Sequence, residues 1–204
     1  MLRNGAAWLS LLATCCLGCS GAQSRLDQPG IDSNAATAAI ERYDGDGDGM
    51  IGGDELAKVP AFKSALKRID TDGDGKISAA EIENRLAVWH NSQLALTRVV
   101  VVVRQNGRPV PDAEVILVPE NFLGSEVKPA KGTTDATGTA YVKISDHPDE
   151  RGVHLGFYRV EVSKKKPEGT EAIPARYNTQ TEVGVEVAPD DAEIGRLIID
   201  MRGN

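Results

Sequence analysis

The sequence contains little cysteine and few aromatic residues. All three cysteines, Cys15, Cys16 and Cys19, lie within the first twenty of the 204 residues, so a disulfide framework inside a later folded domain is excluded. Aromatic side chains make up only 4% of the chain. We therefore expect the cores of the folded parts to be filled by Val, Ile, Leu and Ala.

The sequence also lacks an extended basic segment. The formal net charge is −7, and the one run of lysines, residues 164–166, is short and is followed by Pro167. Proteins that bind nucleic acids present a clustered positive face to the phosphates. The charge balance therefore argues against a nucleic-acid partner.

The residue patterns of common catalytic sites are missing as well. Histidine occurs only at His90, His147 and His154, and no pair has the HExxH spacing of zinc hydrolases. No glycine-rich loop is followed by the Lys and Ser or Thr of a phosphate-binding loop. We expect a protein that is not an enzyme, since an enzyme would need a site that these motifs do not show.

The first nineteen residues have the composition of an export signal. Arg3 precedes an apolar run over residues 6–17, which is too short to span a bilayer as a stable helix. The run leads into Gly18-Cys19-Ser20, which resembles the bacterial lipobox, where a small residue precedes the cysteine that becomes lipidated. The resemblance implies a signal peptide over residues 1–19, lipidation at Cys19, and an exported protein anchored to the cell membrane or outer membrane, on the periplasmic or cell-surface side.

Alternatives to this processing remain open. Cys16 stands where a lipobox usually has leucine, so Cys15 and Cys16 are alternative lipidation sites, and cleavage without lipidation is a third possibility. Residues 20–32 are polar and include Pro29 and Gly30, which predicts a flexible tether.

Two twelve-residue segments, residues 44–55 and 70–81, follow one pattern. Each has aspartate at positions 1, 3 and 5, glycine at 6, isoleucine at 8 and glutamate at 12. Ca²⁺ takes about six to eight oxygen ligands, and alternate side chains of a tightly wound loop supply them. The pattern is that of the EF-hand loop, and residues 33–92 resemble an EF-hand pair.

The EF-hand resemblance implies two Ca²⁺ sites with equivalent oxygen donors. Positions 1, 3, 5 and 12 supply carboxylates, position 7 supplies its backbone carbonyl, and position 9 acts through a water. Position 9 is Ser78 in the second loop and Gly52, which has no side chain to offer, in the first. The implied ligands are Asp44, Asp46, Asp48, Met50 and Glu55, and then Asp70, Asp72, Asp74, Lys76, Ser78 and Glu81.

Apolar spacing predicts helices on both sides of each loop. A helix capped by Asp32 or Ser33 is expected to end at Tyr43, just before the first loop. Pro60 suits the first turn of the helix that enters the second loop, where its missing N–H costs nothing. Only about fourteen residues separate the loops, so the helices between them must be short.

The position-8 residues and the methionine content bear on how the pair works. Ile51 and Ile77 are expected to meet in a short antiparallel bridge that couples the two loops. Calcium sensors open to expose a Met-rich groove, and Met50 is the only methionine in this module. We therefore expect constitutively filled, structural sites.

From residue 97 onward the sequence is rich in β-branched residues and turn signals. Strands are predicted at residues 97–104, 113–119, 138–144, 158–163, 182–188 and 195–201, with a looser stretch at 124–136. About seven short strands with Gly and Pro turns predict an antiparallel β-sandwich over residues 93–204. Gly138 is expected at positive φ, and Tyr158 is expected to pack between the sheets.

Three segments carry a resemblance to a carboxypeptidase regulatory-like, transthyretin-type domain over residues 97–201. They are GRPVPDAEVILVPE, TTDATGTAYVKI and GFYRVEVSKKKPE. The later IPARYNTQTEVGVEV resembles a variant frequent in secreted proteins of planctomycete bacteria. These motifs are mostly turn and core positions, so they imply a fold and no particular reaction.

Together these patterns predict an α+β multidomain protein, with a small all-α EF-hand pair followed by an antiparallel β-sandwich. We expect a calcium-binding, membrane-anchored exported protein whose non-catalytic sandwich serves structure or interaction. The alternative is an accessory module that binds peptide or polysaccharide at the cell surface. The expected partners are a membrane, through the lipid anchor, and a cell-surface protein or polysaccharide.

Overall fold

A helical region precedes a region of β-strands in the computed structural model, which describes residues 27–144, 152–191 and 195–202. Within these residues the helical region has two short strands, β1 (Met50–Ile51) and β2 (Ile77–Ser78). Its four α-helices are α1 (Ala35–Tyr43), α2 (Gly53–Leu56), α3 (Pro60–Ile69) and α4 (Ala79–Ser92).

A proline and a capping side chain set the starts of α3 and α4. Pro60 lies in the first turn of α3, as expected, where no N–H is needed. Ser78 precedes α4, and its Oγ accepts a hydrogen bond from the Glu81 N–H at 3.3 Å. The Glu81 carboxylate in turn accepts the Ser78 N–H at 2.9 Å, which completes a capping box.

The short strands join the two loops. β1 and β2 pair antiparallel with Ile51 opposite Ile77, which confirms the predicted bridge. Both side chains are fully buried, so the bridge is also part of the core.

The strands that follow form one continuous, curved sheet. Its order is β10-β3-β7-β6-β5-β8-β9, with β4 paired to β3. The strands are β3 (Val99–Gln105), β4 (Arg108–Pro109), β5 (Glu114–Pro119), β6 (Ala130–Thr133), β7 (Thr139–Ile144), β8 (Gly156–Ser163), β9 (Gly184–Val187) and β10 (Leu197–Met201). The predicted fold class, a small all-α EF-hand pair followed by an antiparallel β-sandwich, is confirmed as a small helical EF-hand region followed by an antiparallel half-barrel or sandwich.

Two features of the sheet differ from the sequence expectation. Strand β6 lies inside the stretch at residues 124–136 that was expected to be looser. Strand β10 pairs parallel with β3, because the chain passes from β9 at one edge of the sheet to the opposite edge. The other neighbouring pairs in the described sheet are antiparallel.

Two turn and core predictions in the sheet are confirmed. Gly138 has a φ of +75°, and a Cβ at this position would lie 2.5 Å from the carbonyl oxygen of Val103. Tyr158 is fully buried, and its hydroxyl donates to the carbonyl of His154 at 2.9 Å. The buried hydroxyl therefore has the partner that it needs.

The helices pack directly on the sheet through aromatic side chains. The ring of Phe157, on β8, lies 4.9 Å from that of Phe62 on α3 and 4.7 Å from that of Trp89 on α4. Phe122 adds a further ring 5.3 Å from Phe62. The expectation that Val, Ile, Leu and Ala fill the cores is therefore wrong at this junction. The few aromatic residues are concentrated there, where one large flat side chain can cover area on both layers.

The end of the predicted tether lies against the folded part. The Gln28 amide donates to the carbonyls of Trp89 and Leu94, each at 3.1 Å, and the Gly30 N–H donates to Glu126 Oε2 at 2.5 Å. Over the part of the chain that the structure covers, no helix has the length and apolar character needed to cross a membrane.

Candidate metal centre

The first EF-hand loop is wound around its own carboxylates. Asp44 accepts the N–H of Gly47 at 2.7 Å through Oδ1 and the N–H of Gly49 at 2.8 Å through Oδ2. Asp46 Oδ1 accepts the N–H of Asp48 at 3.1 Å. The backbone thus holds the aspartates on the inside of the turn, as local side-chain to backbone bonds do.

The second loop repeats these bonds at equivalent positions. Asp70 accepts the N–H of Gly73 at 2.6 Å and that of Gly75 at 2.9 Å. Asp72 Oδ1 accepts the N–H of Asp74 at 3.1 Å. Two segments that are 26 residues apart in the sequence therefore adopt one loop geometry.

The position-12 glutamates close both loops in the same way. Glu55 accepts the N–H of Gly45 at 2.6 Å and that of Gly52 at 3.0 Å. Glu81 accepts the N–H of Thr71 at 2.8 Å and that of Ser78 at 2.9 Å. Each carboxylate therefore turns back from its helix towards the start of its own loop, which brings position 12 beside position 1.

These hydrogen bonds also favour the ionised carboxylates. Bonds from Gly52 and Gly45 hold the pKa of the Glu55 carboxyl below its ordinary value. Partial burial opposes ionisation of Glu81, but the bonds from Ser78 and Thr71 outweigh it and leave its pKa lowered as well. Both position-12 side chains are therefore charged at neutral pH.

The aspartates of each loop converge on one point. One carboxylate oxygen from each of Asp44, Asp46 and Asp48 lies within 4.8 Å of the others, and the same holds for Asp70, Asp72 and Asp74. A cluster of three carboxylates, in a loop that a further glutamate closes, offers only hard oxygen donors. This donor set fits Ca²⁺, which prefers oxygen ligands in a flexible, high coordination number.

A lysine links the two loops. Lys76 Nζ, at position 7 of the second loop, forms an ion pair with Asp48 Oδ2, at position 5 of the first. Asp48 Oδ1 meanwhile accepts the N–H of Met50 at 2.9 Å. The lysine, with the Met50 bond second, holds the pKa of the Asp48 carboxyl below its ordinary value. Lys76 thus brings a positive charge to the edge of the first cluster as well as its implied carbonyl to the second.

The remaining predicted ligands have other positions in the structure. Met50 and Ser78 belong to the paired strands β1 and β2, where they lie opposite each other. The Ser78 hydroxyl lies 2.9 Å from Glu81 Oε2, so it contacts the position-12 ligand of its own loop. Cys19, the predicted lipidation site, lies outside the described residues.

The sequence did not predict a group of charged residues that connect the second hand, which comprises α3, the loop at residues 70–81 and α4, to the sheet. Glu186, on β9, is fully buried, and its carboxylate accepts hydrogen bonds from Arg68 Nε at 2.8 Å and from Trp89 Nε1 at 3.0 Å. It also accepts a bond from Arg85 Nε. The only signal in the sequence is a glutamate between two valines in GVEV, which by itself reads as a solvated position.

A second buried carboxylate contacts the first hand, which comprises α1, the loop at residues 44–55 and α2. Glu120 is 3% exposed, and its Oε2 accepts a hydrogen bond at 2.7 Å from the hydroxyl of Tyr43, the residue directly before Asp44. Glu120 Oε1 lies 3.9 Å from Arg159 Nε. Burial raises the pKa of Glu120, and burial together with the charge of Glu120 raises the pKa of Tyr43 to about 12.

Comparison with known families identifies the helical region. Residues 37–60 and residues 62–87 each match the EF-hand family. These matches, in which each segment contains one of the two loops, imply calcium binding. The resemblance of residues 97–201 to a carboxypeptidase regulatory-like domain stays a prediction. No curated protein matches the sequence.

One solved structure shows a weak likeness. It is BcpA, the major pilin subunit of Bacillus cereus, which is 14% identical with a TM-score of 0.31. The match covers 53% of this chain and 30% of the pilin chain, so it spans less than a third of the pilin's length.

Proposed function

We propose that the chain is an exported calcium-binding protein in which one Ca²⁺ occupies each EF-hand loop and stabilises the fold. The observation that carries the proposal is the repetition of one set of hydrogen bonds in both loops. In each, position 1 accepts N–H groups from within the loop, position 12 accepts the N–H groups of positions 2 and 9, and three aspartate carboxylates converge. Oxygens gathered in this way repel one another until a cation lies between them.

The packing of the helices favours a structural role over a sensing role. A sensor must expose an apolar groove when it binds calcium. Here Phe62 and Trp89, on the two helices of the second hand, are both buried against Phe157 of the sheet. The face that a sensor would open is therefore occupied by the protein's own β domain.

Calorimetric titration of the full chain with Ca²⁺ tests the number of sites. We expect two ions per chain, bound with dissociation constants of about 10⁻⁴–10⁻³ M, as in extracellular EF-hand modules. Glu55→Gln and Glu81→Gln should each remove one ion. Glu83→Gln is the matched control, because Glu83 is exposed on α4 and outside the loop. A chain that binds no calcium, or a Glu81→Gln variant that still binds two ions, would contradict the proposal.

A lipid anchor is the second part of the proposal. It is supported by the lipobox-like Gly18-Cys19-Ser20 after an apolar run. Expressed in a bacterium with a lipoprotein export pathway, the parent should fractionate with membranes and Cys19→Ala should be released. Cys16→Ala is the control, since it removes the neighbouring thiol alone. If the Cys16→Ala variant is released while the Cys19→Ala variant stays with the membranes, Cys16 is the lipidated residue.

For the β domain we propose a non-catalytic role in structure or interaction. One observation favours the alternative of an accessory surface for a cell-surface protein or polysaccharide. Tyr141, on β7, is 68% exposed, and tyrosine is enriched at interfaces because its ring is apolar while its hydroxyl is polar. Binding of the chain to an immobilised glycan and peptide panel, lost in Tyr141→Ala, would support it. Equal binding by the parent and the variant would show that Tyr141 does not contribute to ligand binding.

A further inference from the structure

We infer that the β domain sets the geometry of the second EF-hand through the buried carboxylate of Glu186, and thereby sets the calcium affinity of that hand. Glu186 would thus be a positioning residue for a site that it does not touch. The inference rests on the proposed function, because it assumes a calcium ion in the second loop.

The carboxylate of Glu186 accepts hydrogen bonds from both helices of the second hand. Its Oε2 accepts a bond from Arg68 Nε, on α3, at 2.8 Å. Its Oε1 accepts bonds from Arg85 Nε and from Trp89 Nε1, both on α4. Glu186 has no exposed surface, so these bonds are made without competition from water.

The attachment points lie close to the ends of the loop. Arg68 is two residues before Asp70, the first ligand position, and Arg85 is four residues, about one helical turn, after Glu81, the last. A calcium ion in the second loop joins Asp70 to Glu81. The ion and Glu186 therefore fix the same quantity, the placement of α3 relative to α4.

Further ion pairs fix the side chains of Arg68 and Arg85 in place. The guanidinium of Arg85 makes two bonds of 2.7 Å to the carboxylate of Asp190, and Arg68 lies 3.1 Å from Asp191. Both acidic residues follow β9, so the arginines meet three carboxylates from one short segment. Parallel bonds of this kind fix orientation as well as distance.

The first hand has a weaker connection to the sheet. The Tyr43 hydroxyl donates to Glu120 and the Tyr43 ring lies 6.4 Å from that of Phe122, but Tyr43 belongs to the entering helix alone. The exiting helix α2 is only four residues long. A change at Glu186 should therefore act on the second site and leave the first nearly unchanged.

The calcium ion of the second loop and the Glu186 carboxylate stabilise the same placement of α3 relative to α4. Because coupling free energy is reciprocal, the Glu186 contacts raise the calcium affinity by as much as bound calcium strengthens the contacts. A coupling of ordinary size changes affinity by about 5–150-fold. Since Glu186 contacts both helices, we expect its loss to weaken the second site by about tenfold.

The test is calorimetric titration of full chains in which one loop has been silenced. Glu55→Gln leaves only the second loop, and Glu81→Gln leaves only the first. Into each background we would introduce Glu186→Gln, which keeps the size and removes the charge. Glu182→Gln is the matched control, because Glu182 is exposed and lies four residues earlier in the same segment. We expect about tenfold weaker binding at the second loop for Glu186→Gln, less than about twofold change at the first, and no change for Glu182→Gln.

Circular dichroism establishes that each variant is folded. If Glu186→Gln does not fold, Asp190→Asn decides, because the Asp190 side chain is 48% exposed and its loss removes one attachment of Arg85. We expect it to weaken the second loop about threefold. A folded Glu186→Gln variant with parental affinity, equal weakening of both loops, or an unchanged second loop in Asp190→Asn would overturn the inference. A parent chain that binds no calcium would instead refute the proposed function itself.

Discussion

Phe157→Ala should lower the stability of both the helical pair and the sheet domain, because the Phe157 ring packs against side chains of both α3 and α4. Phe157 is fully buried, and its ring centroid lies 4.9 Å from Phe62, 4.7 Å from Trp89 and 6.2 Å from Phe122. Truncating a buried phenylalanine costs about 3–5 kcal/mol, from lost burial and from the cavity that remains. The loss falls at the upper end when the neighbours cannot collapse, and three rigid rings leave little room for that.

The assay is urea unfolding at saturating calcium in a chain carrying Trp8→Phe, so that Trp89 is its only tryptophan. Trp89 fluorescence reports the junction, and circular dichroism reports the secondary structure of both regions. We expect both signals to move together to lower urea, by a free energy of about 3–5 kcal/mol.

Tyr141→Ala is the control for this prediction. It also removes an aromatic ring from the sheet domain, but that ring is 68% exposed, so we expect a change within about 0.5 kcal/mol. A loss below about 1 kcal/mol for Phe157→Ala would refute the idea that this ring joins the two regions. So would a fluorescence transition that shifts while the circular dichroism transition does not.

Three further predictions concern other parts of the fold. Lys76→Gln should tighten calcium binding by a few-fold, because a cation that pairs with Asp48 is removed from beside the loops; unchanged calorimetric affinity would contradict this. Gly184→Ala should lower the melting temperature measurably, because its Cβ would lie 2.1 Å from the backbone nitrogen of Ala61, so an unchanged melting temperature would refute this close approach. For Glu171, partial burial opposes ionisation, but bonds from a serine hydroxyl and backbone amides lower its pKa from 4.5 to about 2. Because its pKa is lowered in the folded state, the ionised Glu171 carboxylate adds stability above about pH 4.5, and this stability is lost as the pH falls towards 2. Glu171→Gln should therefore reduce the fall in melting temperature over this pH range.

The EF-hand loops could be predicted from the sequence almost completely, because their geometry is local. Each loop is closed by hydrogen bonds between residues no more than about ten apart, so the spacing of Asp, Gly and Glu already contains the fold. The bridge between Ile51 and Ile77 followed from the same spacing, and the structure confirms it. Which oxygens bind calcium is a prediction that the titrations above test.

Glu186 could not be predicted, because its partners are distant in the sequence. The alternation around β9 places Val185 and Val187 on the core face and Glu186 on the other face, which reads as solvated. In the structure both faces are buried, since the helices cover the second one. Arg68 and Arg85 precede Glu186 by 118 and 101 residues, and no local pattern connects them.

Strand β6 was missed for a different reason. Its sequence, Ala-Lys-Gly-Thr, holds a glycine and a lysine and has little intrinsic strand preference. It becomes a strand because β5 and β7 pair with it on either side. Tertiary pairing overrides local preference here, and this is where reasoning from single segments fails.

Calcium is expected to stabilise the helical pair, which packs on the β domain through Phe62, Trp89 and Phe157, so that both unfold as one unit. Differential scanning calorimetry of the full chain, with calcium and with a chelator, tests it most directly. We expect one transition whose midpoint rises with calcium, since each occupied site adds about 2.7 kcal/mol at a hundred times its dissociation constant. Two separate transitions, with only one moved by calcium, would show that the helical pair folds independently of the sheet and would contradict the account.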